Sequence, residues 1–331
     1  MRMYIIILLC FLFYETDAQT IKLLNTNVQS SFRGLSVVDD HVIWVSGSGG
    51  TIGRSVDGGE HWRFITIPGF EKTEFRDIEG FDALTAVAMG IGHPAYILRT
   101  IDGGEHWDVV FKDTTTGMFL DAMEFWNQES GIVLGDPVDG RFYIGRTFDG
   151  GKTWRGIPTE NRPKADSGEA CFASSGTNVV KLNKAEAIFI SGGFSTHLYI
   201  RDERIPIPLV YGKESTGANG IAVKNEKTFL VVGGDFNDPK NPNGNMALTR
   251  NSGKTWEFPS NDSTSGYRSS ACYIQKKKWL ACGLNGVDMS VDDGKKFRNI
   301  SSTGFHVCKK AKKGNAVFLA GGKGRIAKLI E

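Results

Sequence analysis

After residue 18 this chain of 331 residues has no apolar run long enough to cross a membrane, so no transmembrane segment is expected. It also lacks an excess of either charge: 39 Lys and Arg stand against 37 Asp and Glu, a formal net charge of +2, which argues against nucleic acid as a partner. Cysteine is scarce, with five in all. No Ser-His-Asp order, metal-ligand spacing, phosphate loop or nucleotide fingerprint occurs, so no cofactor is expected and a binding role is favoured over an enzymatic one. Glycine, by contrast, is abundant at 41 residues, and it recurs in one repeated sentence.

That sentence is written five times: SVDGGEHW (Ser55 to Trp62), TIDGGEHW (Thr100 to Trp107), TFDGGKTW (Thr147 to Trp154), TRNSGKTW (Thr249 to Trp256) and SVDDGKKF (Ser290 to Phe297). Ser/Thr-x-Asp-x-Gly-x-x-aromatic reads as a hairpin turn. The hydroxyl and carboxylate bond local N–H groups, glycine supplies a positive φ, and the aromatic packs as the next strand begins. Asp57, Trp62, Asp102, Trp107, Asp149, Trp154, Trp256, Asp292 and Phe297 are therefore read as structural. The spacing is blade-sized, with one gap of about two periods where RDERIPIP (Arg201 to Pro208) replaces the turn.

Seven short apolar runs end in glycine, at Gly47, Gly90, Gly135, Gly192, Gly233, Gly283 and Gly321. Such runs suit strands buried on both faces, the second strands of propeller blades. The expectation is an all-β chain: a seven-bladed β-propeller of four-stranded blades. The last repeat stops after its third strand, and IKLLNTN (Ile21 to Asn27) has the character to complete it, closing the ring and removing two open edges. Residues 19–331 then form a single domain, expected to be a monomer. Outer strands should follow most of the turns, as in WRFITIP, WDVVFKD, WEFPSND and FRNISST.

Residues 1–18 read as a secretory signal peptide, with Arg2, the apolar YIIILLCFLFY and Thr16-x-Ala18 before Gln19, which predicts a secreted or periplasmic protein. Without Arg2, Glu15 and Asp17 the net charge becomes +3. Of Cys171, Cys272, Cys282 and Cys308, the hairpin ACYIQKKKWLACG turning on Lys276 to Lys278 would set Cys272 against Cys282, the most plausible disulfide.

On the channel face, inner strands begin with an aromatic and a variable residue: Phe32-Arg33, Phe75-Arg76, Phe119-Leu120, Tyr267-Arg268 and Phe305-His306. Arg33, Arg76, Arg268 and His306 would converge as a basic channel mouth for a carboxylate or phosphate of a protein or glycan partner. The competing reading pairs each arginine with a nearby acid such as Asp77, Asp121 or Glu169. The long loop GGDFNDPKNPNGN offers Asp235, Asn237 and Asp238 as oxygen ligands for calcium, without EF-hand spacing.

The repeated turn resembles the BNR or Asp-box repeat of sialidases, some glycoside hydrolases, sortilin-type receptors and the photosystem II stability/assembly-factor-like propellers. SGEACFASSGTNVV (Ser167 to Val180), VVGGDFNDP (Val231 to Pro239), GYRSSACY (Gly266 to Tyr273) and GGKGRIAKL (Gly321 to Leu329) narrow it: essentially the whole mature chain resembles secreted bacterial members of the assembly-factor-like group. The resemblance implies a non-catalytic binding scaffold or assembly factor, with no catalytic residues to carry over. The alternative is a sialidase-like or other glycoside hydrolase. There Phe32-Arg33 lacks the following Ile-Pro, Arg204-Ile205-Pro206 falls on the other face, and Asp77 with Asp121 or Asp136 would supply paired carboxylates.

Overall fold

The computed structural model describes residues 19–261 and 266–330; the signal-peptide reading of residues 1–18 lies outside them. Among the described residues a single turn of 3-10 helix, Thr159–Asn161, stands amid strands, and no helix is long and apolar enough to cross a membrane.

The strands form seven antiparallel blades. Blade 1 (Phe32–Val37, Ile43–Gly47, Thr51–Ser55, Arg63–Thr66) shows the common order, inner strand to outer. Blade 7 takes three strands from the C-terminal end (Val307–Lys310, Val317–Ala320, Ile326–Ile330) and its outer strand from Thr20–Leu24, in the register Thr20 opposite Ile330 to Leu24 opposite Ile326. The ring is thus closed by the N-terminal strand.

Second strands are buried on both faces because each lies between two neighbouring blades: Ile43–Gly47 and Thr228–Asp235 are buried throughout. Their terminal glycines are required by close approach. A Cβ on Gly233, Gly283 or Gly135 would collide with the carbonyl oxygen of Gly217, Tyr267 or Phe119, where the inner strand begins. Ring contacts are made at the same place, where Phe32 N donates to Gly321 O (3.1 Å), Arg268 N to Gly233 O (2.8 Å) and Phe305 N to Gly283 O (2.9 Å). The described core falls into seven clusters, each astride one seam between blades.

Each turn of the repeated sentence is built alike. Thr100 Oγ1 accepts Gly104 N (3.0 Å) and donates to Asp102 Oδ1 (2.8 Å), which also accepts His106 N (3.0 Å). The Ser55, Thr147, Thr249 and Ser290 turns repeat this pattern, Asn251 standing in for aspartate. These turns reach back over the preceding blade: Trp107 meets Trp44 of blade 1 edge-on at 6.4 Å, and Trp154 joins the cluster of Val87 in blade 2. In blade 4 the hairpin shrinks to Arg201-Asp202, with Arg201 at φ 53°. Among the described residues no turn aromatic from blade 4 reaches over blade 3; Phe189 and Tyr199 pack on Phe142 of blade 3 instead, each at 5.2 Å, and a cavity of about 260 Å³ lined by Ile132, Ile144, Ile188, Phe189 and Tyr199 marks that seam.

Two expectations are corrected. WEFPSND makes no regular outer strand: Glu257 bridges Leu248, and Ser260–Asn261 runs parallel to Lys296–Ser301 of blade 6. Pro259 between them has no N–H to give a ladder. The Cys272–Cys282 pair also fails in register. A bulge between Tyr273 and Gln275 and a tighter turn place Cys272 opposite Leu280 and Cys282 opposite Ser270. All four described cysteines are free thiols, and Cys272 and Cys282 both lie within hydrogen-bonding reach of Cys308 in blade 7.

Candidate functional site

The channel mouth is built from a backbone irregularity. In blades 1, 2, 3 and 5 the register shifts once near the start of the inner strand, between Phe32 and Gly34, Phe75 and Asp77, Leu120 and Ala122, and Ala218 and Gly220. The residue left out of the ladder is Arg33, Arg76, Asp121 or Asn219. Such bulges re-aim a side chain away from the sheet face, here toward the channel. In blade 7 Val307 opposes Ala320 as Gly34 opposes Ser46, so His306 takes the same place.

Blade 6 departs from the sequence expectation by one residue. Ser270 stands opposite Cys282, so Ser269 holds the bulge position and Arg268 the buried position of Phe32. Arg268 is 0% exposed. Its Nε and Nη2 reach Asp288 Oδ2 at 2.8 and 2.7 Å, and Nη1 donates to Tyr267 O. It is tied inside its own blade and takes no part in the mouth. Blade 3 slips the same way: Leu120 fills the core position and Asp121 the bulge.

Arg33, Arg76 and His306 do come together, around a cavity of about 410 Å³ also lined by Asp136, Phe119, Phe172, Phe236 and Tyr267. Its floor was not foreseen. The segment Phe172 to Thr177 lies across the channel: Ser174 O accepts Arg33 Nη1 (3.2 Å), Ala173 O accepts Arg76 Nη1 (3.2 Å), Ser174 Oγ donates to Asn219 (2.7 Å) and Ser175 Oγ to Ser269 O (2.8 Å). Gly176, at φ 62°, passes so close to the Asp77 carboxylate that a Cβ would collide with it. Small Ser and Gly residues in SGEACFASSGT were the signal available, since only they fit a strap threaded between blades.

The charges at the mouth are unequal. Arg76 is paired with Glu74 (Nε to Oε2, 2.9 Å), an acid outside the expected set. Among the described residues no carboxylate pairs with Arg33; burial, and then Arg76, lower its pKa, yet a guanidinium stays protonated at neutral pH. His306 is no cation. Burial, with Arg33, Arg325 and Arg76 nearby, pushes its pKa down to about 3, and its Nε2 lies 3.3 Å from Ser31 Oγ. Burial raises Asp136 to about 6 although Cys171 N donates to it (2.8 Å). Asp121 is fully buried and raised further, by burial and by Asp136, with Arg76 opposing. Asp77 lies beneath the strap, pushed up to about 7 by burial, with Lys309 at 3.8 Å. Of the three carboxyls that a glycosidase reading would use, Asp136 alone lines the cavity.

No family model and no curated protein matches the sequence. Solved structures do match over nearly the whole chain. One is YCF48 bound to D1 peptide, at a TM-score of 0.68 and 15% identity, covering 96% of this chain and 98% of that one. The chain shares its fold with YCF48. The likeness extends to YCF48 from Cyanidioschyzon merolae (TM-score 0.66, 18% identity, 93% and 98% covered) and to the WD40 β-propeller domain of Doa1 (0.64, 10%, 95% and 98%). At such identities YCF48 and Doa1 speak for the architecture alone.

The remaining candidates fall elsewhere. Asp235 is engaged within its loop, its carboxylate accepting Asn237 N (2.9 Å) and facing Lys213 at 3.3 Å, while its carbonyl accepts Asp238 N (3.2 Å). Among the described residues the one group of three metal-type ligands is Asp166, Glu169 and His197 in blade 4. There Glu169 is already engaged, accepting His197 Nδ1 (2.9 Å), Tyr199 OH (2.9 Å), Asp166 N (2.8 Å) and Ser191 Oγ. Arg204 pairs with Asp166 at 2.7 Å from the outer strand Glu203–Pro206.

Proposed function

We propose that this protein is a non-catalytic, exported binding scaffold or assembly factor that holds a carboxylate-bearing segment of a partner protein at the channel mouth, on Arg33 and Arg76. The observation that carries this reading is Arg33: a half-buried guanidinium with one carbonyl partner, Ser174 O, and no ion pair among the described residues. Removing a charge from water is unfavourable until a counter-charge arrives, so a carboxylate entering the cavity gains what Arg33 now lacks. Arg76 stands beside it, the two bonding the adjacent carbonyls Ser174 O and Ala173 O, and its Glu74 partner is exposed enough to give way. The similarity to YCF48 bound to D1 peptide supports a protein over a glycan as the partner.

The test is a titration of an acidic peptide against wild type and Arg33→Ala. A charge-assisted hydrogen bond is worth about 1.5–3 kcal/mol, so binding should weaken about tenfold or more while the melting temperature holds. Equal affinity of the two proteins would overturn the assignment.

A further inference from the structure

The cavity has two unlike rims. Blades 1 and 2 bring the guanidiniums, and their loops between second and third strands are small or polar: Ser48-Gly49-Gly50 and Gly92-His93-Pro94. Blades 4 to 6 bring large apolar side chains left in water: Phe194 is 50% exposed, Tyr211 62%, Phe236 37% and Leu284 41%.

These four are not scattered. Phe236 and Leu284 line the cavity itself, and the Phe236 ring meets Phe172 at 5.7 Å and Tyr267 at 6.3 Å. Phe236 N donates to Ser215 O (3.1 Å), which joins its loop to the segment leaving blade 4. On that segment Tyr211 precedes Gly212, whose N–H donates to Gly193 O (3.0 Å), and Gly193 precedes Phe194. Backbone bonds thus set the segments that carry Phe236, Tyr211 and Phe194 side by side, as a crescent that starts inside the cavity and runs outward over one side of the mouth. Large apolar side chains left exposed on adjoining segments beside a polar cavity suit an interface, where single scattered ones would not.

We propose that the ligand is an extended polypeptide segment whose carboxylate sits on Arg33 and Arg76 and whose adjoining residues are apolar, laid across Phe236, Leu284, Tyr211 and Phe194. This rests on the reading of the mouth as a carboxylate site and adds to it the ligand's chemistry and direction. The carboxylate is a chain terminus or a side chain. A fatty acid shares that chemistry but is disfavoured: it would want an enclosed apolar tunnel, whereas the crescent is open and the cavity walls include Asp136 and His306.

The experiment uses fluorescently labelled peptides read by anisotropy against the full mature chain. One peptide ends in a free carboxylate preceded by Leu and Phe, a second replaces those residues with Ser and Gly, a third is the apolar peptide with an amidated end, and a fourth is that amide with an internal Glu. Laurate serves as competitor. Wild type should bind the apolar acid about tenfold tighter than the Ser/Gly acid. The Phe194→Ser/Tyr211→Ser variant, changed at exposed positions, should bind the two alike, while Arg33→Ala should weaken both. Recovery of affinity by the fourth peptide assigns a side-chain carboxylate, and its failure beside tight binding of the first assigns the terminus. Equal binding of apolar and Ser/Gly acids by wild type, with Arg33 still required, overturns the apolar crescent and leaves the carboxylate site standing. Binding that ignores Arg33→Ala, or no binding of any peptide by folded protein, overturns both. Displacement by laurate at lower concentration than by the apolar peptide overturns the polypeptide assignment.

Discussion

A guanidinium held out of water needs a carboxylate or a set of carbonyls around it, and the arginines of the repeat solve that need differently. Arg268 has Asp288 within its own blade, Arg76 has Glu74 on its own strand, and Arg33 has Ser174 O from the strap. Beside Arg76, Asp121 and Asp136 interact strongly enough to titrate as a pair. As pH rises through about 6 the pair loses its first proton and places a negative charge next to Arg76. His306, uncharged above about 3, does not offset this, and a guanidinium keeps its charge throughout this range. Carboxylate binding should therefore be tighter at pH 5 than at pH 7.5, since the ligand is ionised at both. Asp136→Asn should flatten that dependence. A wild-type affinity that rises with pH would show that the pair does not govern the site. The arginine motif was legible as Phe-Arg and Tyr-Arg, yet the same two letters have opposite fates. A one-residue slip moves a side chain from core to channel, and only the register Ser270 opposite Cys282 reveals that Tyr267-Arg268 sits one place early.

At the scale of the element, the repeated turn carries information beyond its own hydrogen bonds, because it reaches over the neighbouring blade. Glycine and the hydroxyl–carboxylate pair were readable from spacing alone, and so was the missing copy in blade 4. What spacing could not show is that the missing turn coincides with a cavity at the seam of blades 3 and 4, or that the Ser-rich stretch of blade 4 straps the channel. Both depend on contacts between blades, which a repeat pattern does not encode. The seams should differ in stability accordingly. In the seam of blades 1 and 2, Trp107 lies against Trp44, and Ile65 packs on the same cluster. Trp107→Ala should cost on the order of 3 kcal/mol in denaturant unfolding. Native hydrogen exchange should then show that seam opening as readily as the seam of blades 3 and 4, which is expected to exchange first in wild type. Unchanged stability and exchange in Trp107→Ala would mean that the turn aromatics do not hold the seams.

For the whole molecule, one ladder decides whether the ring is a ring. Thr20–Leu24 pairs with Ile326–Ile330, and Thr26 Oγ1 donates to Gly324 O across 298 residues of sequence (2.6 Å). Such distant pairing is entropically late, so the preceding seams must already be formed when it closes. The strand also contributes to two seams at once: Ile21 packs on the cluster of blades 6 and 7, and Leu24 on that of blades 7 and 1. Gln19 is bonded to Arg298 of blade 6 (3.1 Å), so a cut before Gln19 would leave this clasp intact. Deleting residues 19–28 removes these apolar contacts, each worth about 1.5–3 kcal/mol when fully buried, and leaves Ile326–Ile330 as an open edge. The deletion variant should melt well below the parent and elute from a sizing column as oligomers, because the bare strand offers its unpaired N–H and C=O groups to another copy. Equal melting temperature together with an unchanged elution volume would show that blade 7 stands on its three C-terminal strands and that closure by the N-terminal strand is not what holds the ring together.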